Sequence, residues 1–161
     1  MSASPEHPGS GPEPPRRLRL AGLHHISAVC ADLDRTTAFY RDVLGLPLVR
    51  EGNNDDDPDA RHFWFGDPGA DGILVSFMEY PALESGRVGV GSTHHFAFSI
   101  GSADELEGWR DWLRSREVEC TDVYERSGLR SIYLRDPDGH MLEIAAPAEA
   151  AAPAEAAGPE G

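Results

Sequence analysis

The chain contains no lysine; its 14 basic residues are all arginine and face 28 acids, for a formal charge of -14 at pH 7. That balance removes the basic footprint on which binding to nucleic acids and anionic membranes depends. Only two cysteines occur, Cys30 and Cys120, in apolar strand-like patterns without CxxC spacing. They read as free buried thiols and not as a disulfide or zinc framework. No window approaches the roughly 18 apolar residues of a membrane span. The stretch 1–19, rich in proline, also lacks the apolar run of a signal peptide. A cytoplasmic protein is the expectation.

Residues 1–19 and 148–161 are low in complexity and read as disordered tails. The acidity belongs to the body between them, where 11 arginines meet 23 acids over 20–147. A body of that size is one domain and must assemble any site from segments distant in sequence.

That body repeats. His24-His25-Ile26 overlays His94-His95-Phe96 at an offset of 70, and Phe39 and Val43 overlay Trp109 and Leu113. Arg61, Trp64 and Asp67-Pro68 overlay Arg130, Tyr133 and Asp136-Pro137 at 69, and Ile73-Leu74 overlays Met141-Leu142 at 68. Nearly constant offsets mark a duplicated supersecondary unit. Each unit reads as a strand, a helix and three strands, giving module 1 over about 20–80, a Gly- and Pro-rich linker over 81–93 and module 2 over about 94–147. Helix starts are expected at Asp32 or Asp34 and at Ser102 or Asp104. The later strands are expected around 48–50, 62–65 and 73–78, then 118–123, 131–134 and 141–145. The acidic run Asn54–Asp59 lacks the glycine and terminal glutamate of a calcium-binding loop and reads as a solvated loop.

Alternation separates two faces. Phe96, Phe98 and Ile100 can pack on the helix, whereas His95, Ala97 and Ser99 share a small, polar face, the hollow side of the sheet. Module 1 repeats this with Ile26 and Ala28 against His25, Ser27 and Val29. By the same alternation His24 and His94 fall on the apolar face unless the strand starts twist. The run Asp136-Pro137-Asp138-Gly139 predicts a three-residue hairpin loop in which Asp136 pairs with His140, putting Tyr133 opposite Glu143. Tyr133 and His62 align with the hollow face. Glu143 lies in an otherwise apolar strand, so it needs a strong partner, and two repeated histidine pairs make a metal the natural one.

These motifs resemble the vicinal oxygen chelate superfamily of glyoxalases, extradiol dioxygenases and antibiotic-resistance proteins over about residues 20–147. The resemblance rests on Leu23-His24-His25-Ile26-Ser27, on Phe39-Tyr40 before Leu44-Gly45-Leu46, on His94-His95-Phe96-Ala97-Phe98 and on Asp136 through Glu143. It implies an α+β fold, two tandem βαβββ modules whose mixed sheet forms a cup around a divalent metal, with His25, His95 and Glu143 as ligands. The repeat matches Glu143 with Val75, which cannot bind a metal. Two histidines and one carboxylate then leave open positions and favour Fe(II), with Mn(II), Zn(II) or Ni(II) as alternatives.

The runs 48–58, His62 through Asp67 and Gly86-Arg87-Val88-Gly89-Val90-Gly91 resemble the hydroquinone- and catechol-type ring-cleaving dioxygenases. That resemblance implies roles around the ring for His24, His94, Arg126 and Tyr133, although those enzymes usually hold two paired-module domains and this chain one. The expected function is an Fe(II)-dependent extradiol-type dioxygenase, an oxidoreductase acting on a small dihydroxylated aromatic and O2. A glyoxalase-like lyase, isomerase or epimerase and a non-enzymatic drug-binding resistance protein are the alternatives. Whether the modules pair within one chain or across a homodimer is left open.

Overall fold

The computed structural model describes residues 22–69 and 72–148, so the expected tails, Ala148 apart, lie outside the described residues. In the first half β1 (Ile26–Cys30) leads into α1 (Leu33–Thr37), which continues as a π-helical segment over Ala38–Val43. Then follow β2 (Leu48–Arg50), β3 (Asn53–Asn54), β4 (Asp57–Gly66) and β5 (Leu74–Glu79). The second half runs from β6 (Phe96–Ser99) through a 3-10 turn at Ala103–Glu105 into α2 (Leu106–Ser115). It ends in β7 (Tyr124–Arg126), β8 (Leu129–Arg135) and β9 (Met141–Pro147).

The two sheets share one topology. Their orders are β1-β5-β4-β2, with β3 paired on β4, and β6-β9-β8-β7. In each, the opening strand runs parallel to the closing strand and the remaining pairs are antiparallel. The architecture is mixed α+β with two open sheets, as the repeat implies.

Local chemistry explains the helix starts. The Asp32 carboxylate accepts from the amides of Asp34 and Arg35 at 2.9 and 3.0 Å, and the Ser102 hydroxyl from that of Asp104 at 3.2 Å. Each cap satisfies amides that the first turn cannot. Behind the caps, Phe39, Tyr40, Leu106 and Leu113 bury themselves against Phe65, Val75, Phe77, Ile132, Leu142 and Ile144.

Two expected segments differ. Val118–Val123 is not a strand: only Cys120 bridges to β8, at Leu134. The strand forms further on, where Ser127 (φ 54) and Gly128 (φ 77) make a two-residue turn that locks Tyr124 against Ser131. Positive φ at both turn residues matches the twist of a tight hairpin, and this outweighs the apolar pattern upstream. The acidic run is not a free loop either. Asn54 pairs with Asp57, so Asp57–Asp59 are strand and only Asp55 and Asp56 form the turn. Both cysteines are free, and burial pushes the Cys30 thiol up to about 11.

The modules meet through their helix-covered sides. Buried Asp136 accepts from the Tyr40 hydroxyl at 3.0 Å, its Oδ2 lies 2.9 Å from His140 Nδ1, and Arg35 pairs with Asp138 at 2.6 Å. Trp112 donates to the Val43 carbonyl at 2.8 Å, and the His140 ring lies between Phe77 and Phe96. Asp136→Ala strands a fully buried hydroxyl and is expected to cost about 3–5 kcal/mol in denaturant unfolding. The hydrogen bond to Asp136 raises the His140 pKa. A raised folded-state pKa stabilises fully below the unfolded value of about 6.5 and loses that contribution as pH climbs through the folded value. Wild-type stability therefore declines across neutral pH, and Asp136→Asn flattens that decline.

Candidate metal centre

The hollow side of the second sheet carries a polar cluster around Glu143. β8 and β9 pair with Tyr133 opposite Glu143, because the Asp136 amide bonds to the His140 carbonyl at 3.1 Å and Gly139 adopts φ 92 in the loop. This is the register that the turn chemistry predicts. Glu143 is only 7% exposed, yet both its carboxylate oxygens are engaged. The Tyr133 hydroxyl donates to Oε1 at 2.9 Å, and His95 Nε2 lies 3.0 Å from Oε2. A buried carboxylate with an imidazole nitrogen on one oxygen suits a divalent cation, which would replace the proton between them.

The first histidine of each pair touches the second. His94 Nδ1 lies 2.9 Å from His95 Nδ1, and His24 Nδ1 lies 2.8 Å from His25 Nδ1, with the rings edge-on in both pairs. His24 and His94 are exposed and precede the regular strands, so simple alternation does not govern them. With the second histidine's Nδ1 donating in this contact, its Nε2 is left as the ligating atom.

Module 1 holds the other half of the pattern. His25 packs against Trp64 at 4.8 Å between ring centroids, and Trp64 against His62 at 5.1 Å. Burial pushes the His62 pKa down, assisted by the positive charge of Arg50, and its Nε2 is buried without a partner among the described residues. His25 does not join His95 and Glu143. Among the described residues no three His, Cys, Asp or Glu side chains converge on one point within the chain. Tyr40, Asp136 and His140 join the modules from the helix-covered sides of their sheets. Arg126 shares the hollow face with Tyr133, but it sits on the edge strand opposite Leu129, four residues and about 13 Å along β8.

The register also corrects the counterpart of Glu143. Phe96 pairs with Leu142 and Ala97 with Glu143, while Ile26 pairs with Val75 and Ser27 with Ser76. The matching residue is therefore Ser76, and Val75 faces the core like Leu142. Ser76 is buried and its hydroxyl is held by Ser27 at 2.7 Å, so module 1 still offers no carboxylate. Trp64 and Ser76 are the residues that sequence reasoning missed. The repeat already aligned Trp64 with Tyr133, which was the available signal.

A family model described as the Glyoxalase/Bleomycin resistance protein/Dioxygenase superfamily matches residues 22–144. The chain belongs to this superfamily. It is 36% identical over 115 residues to MhqE of Bacillus subtilis (strain 168), which is named as a ring-cleaving dioxygenase; the match covers 70% of this chain and 38% of MhqE. It is 30% identical over 127 residues to the metallothiol transferase FosB of Staphylococcus epidermidis, covering 78% of this chain and 83% of FosB. A dioxygenase structure from Bacillus subtilis superposes with a TM-score of 0.70 at 31% identity, over 77% of this chain and 40% of that one. The fosfomycin resistance protein FosX of Listeria monocytogenes, solved with Mn(II), superposes with a TM-score of 0.60 at 25% identity, over 78% of this chain and 92% of FosX. The chain thus spans about two-fifths of the length of its ring-cleaving relatives. Of these relatives, FosX is solved with Mn(II) and a small phosphonic acid. Among the described residues no helix is long and apolar enough to cross a membrane.

Proposed function

We propose that this protein is an Fe(II)-dependent extradiol-type dioxygenase that opens the ring of a small dihydroxylated aromatic, with His25, His95 and Glu143 as metal ligands. The observation that carries it is the cluster of His95, Glu143 and Tyr133 on an open sheet face, matched in module 1 by a histidine and no carboxylate. Three protein ligands leave room for both diol and oxygen, which suits a two-histidine, one-carboxylate iron site better than a closed cage.

The third ligand comes from a second copy. Because His25, His95 and Glu143 of one chain do not converge, a two-fold pair in which module 1 of each copy faces module 2 of the other builds two identical sites. Exposed Leu83, Val88 and Val90 in the linker and Val29 on β1 offer apolar surface for that contact.

When bound, the metal supplies Lewis acidity to the diol oxygens and a place for O2 beside them. The residues do the rest. Glu143 holds its carboxylate against the hollow face through Tyr133, and His94 sets the tautomer of His95 as His24 does for His25. The Tyr133 hydroxyl, one hydrogen bond from Glu143, is the group positioned to take or return the phenolic proton. Arg126 marks the far end of the face, where it meets anionic oxygen as the ring opens.

Oxygen uptake tests the reading. The Fe(II)-loaded protein is expected to consume O2 with a hydroquinone or catechol and to form a strongly absorbing ring-opened product, while Glu143→Ala does not. The match over 83% of FosB, named a metallothiol transferase, favours a second reading in which a metal polarises a substrate oxygen without O2, as in a transferase, lyase or isomerase. A flat electrode trace across a broad diol panel, with Ni(II)- or Zn(II)-supported turnover of a carbonyl substrate, would decide for that reading.

A further inference from the structure

A cavity of about 440 Å³ lies beneath the linker, walled by β1 on one side and by the start of β6 and the loop 138–141 on the other. One chain builds it alone, and its volume suits a small-molecule ligand. His94 and His95 line one part of it, but Tyr133 and Glu143 do not. The backbone bonds of the linker that roofs it are local, Leu83 to the Tyr80 carbonyl and Ser92 to that of Gly89, so a ligand can enter without breaking a sheet.

Donors outnumber acceptors on the walls. The Tyr80 hydroxyl oxygen accepts from the Asn54 side-chain nitrogen at 3.1 Å; that nitrogen can only donate, so the phenolic proton has no acceptor among the described residues. His140 spends Nδ1 on Asp136 at 2.9 Å, which raises its pKa and favours a proton on Nε2, and Nε2 has no partner among the described residues. Arg87 makes no ion pair among them. The acids do not answer these groups. Asp138 is taken by Arg35 at 2.6 Å and by the Ala31 amide at 3.3 Å, which leaves Glu84 on the linker as the one unpaired carboxylate among the lining residues.

We propose that this cavity binds a small organic carboxylate, with Tyr80, Arg87 and His140 donating to its oxygens and Val29, Phe96 and Met141 against its apolar body. Charge-assisted bonds to a carboxylate are the strong class of hydrogen bond, and three such donors border one space. The site needs neither a metal nor a second copy, and its failure leaves the metal reading untouched.

Benzoate, benzamide and benzamidinium share one shape and carry negative, no and positive charge, so they separate charge from fit. Their binding to the full chain is followed by NMR, with and without a chelator. Benzoate is expected to bind more tightly than benzamide and to shift the signals of His140 and the linker, and benzamidinium to bind most weakly. Arg87→Gln, at an exposed linker position, should weaken benzoate about tenfold and Tyr80→Phe about threefold, whereas Glu84→Gln should strengthen it. Preference for benzamide or benzamidinium, weakening in Glu84→Gln, unchanged affinity in Arg87→Gln, or no saturable shift with any probe would overturn the site. So would loss of benzoate binding in chelator, or shifts centred on Tyr133 and Glu143, because either places the anion on a metal instead.

Discussion

Glu143→Ala protein purified anaerobically is expected to lose most of its metal and all measurable oxygen uptake, and His25→Ala and His95→Ala to do the same. The carboxylate is 7% exposed and makes contacts to both Tyr133 and His95, so alanine removes the negative charge around which the site is built. Arg126→Ala, about 13 Å along the sheet, should keep its metal. The placement of His25 adds a sharper test. In the proposed pairing of copies, neither His25→Ala nor Glu143→Ala dimers hold a complete ligand set, but a mixed dimer joins the intact His25 of one chain to the intact His95 and Glu143 of the other. Random re-pairing makes half of the dimers mixed, each with one whole site, so metal content and activity should return to roughly a quarter of wild type. If the mixture re-pairs and recovers nothing, the site is not shared between copies.

Tyr133→Phe is expected to fold, bind metal and dimerise as wild type does, yet to lose about 10²-fold or more in turnover. Only the hydroxyl is removed, and the Phe ring keeps the contact with His95 that the Tyr ring makes at 6.2 Å. The loss should fall on turnover and not on metal content, because Glu143 loses one hydrogen-bond donor and keeps its cation. An unchanged rate on a turned-over diol would take Tyr133 out of the proton transfer.

How much of this was legible depended on the range of the forces involved. The duplicated unit shows through repeated histidine pairs and helix stripes, because each module buries its helix on its sheet by the same periodicity. The pairing of Tyr133 with Glu143 was readable because a three-residue loop sets it: Asp136 and Gly139 are neighbours in sequence, and the turn they make has one register. The strand expected at 118–123 failed for the converse reason, since the apolar alternation there buries side chains without a matching ladder, and the Ser127-Gly128 turn starts the strand later.

Local pattern by itself determined the two repeated modules and the polar hollow face, and the family resemblance implied the α+β class and the ligand candidates. The tertiary structure decided what no local signal carries. It placed Ser76 and not Val75 opposite the histidine strand, because β1 and β5 are parallel, 49 residues apart at Ser27 and Ser76, and align through core packing instead of a turn. It also set His25 apart from His95 and Glu143. The Tyr40–Asp136–His140 junction, a set of buried long-range hydrogen bonds, fixes how the two modules pack on each other.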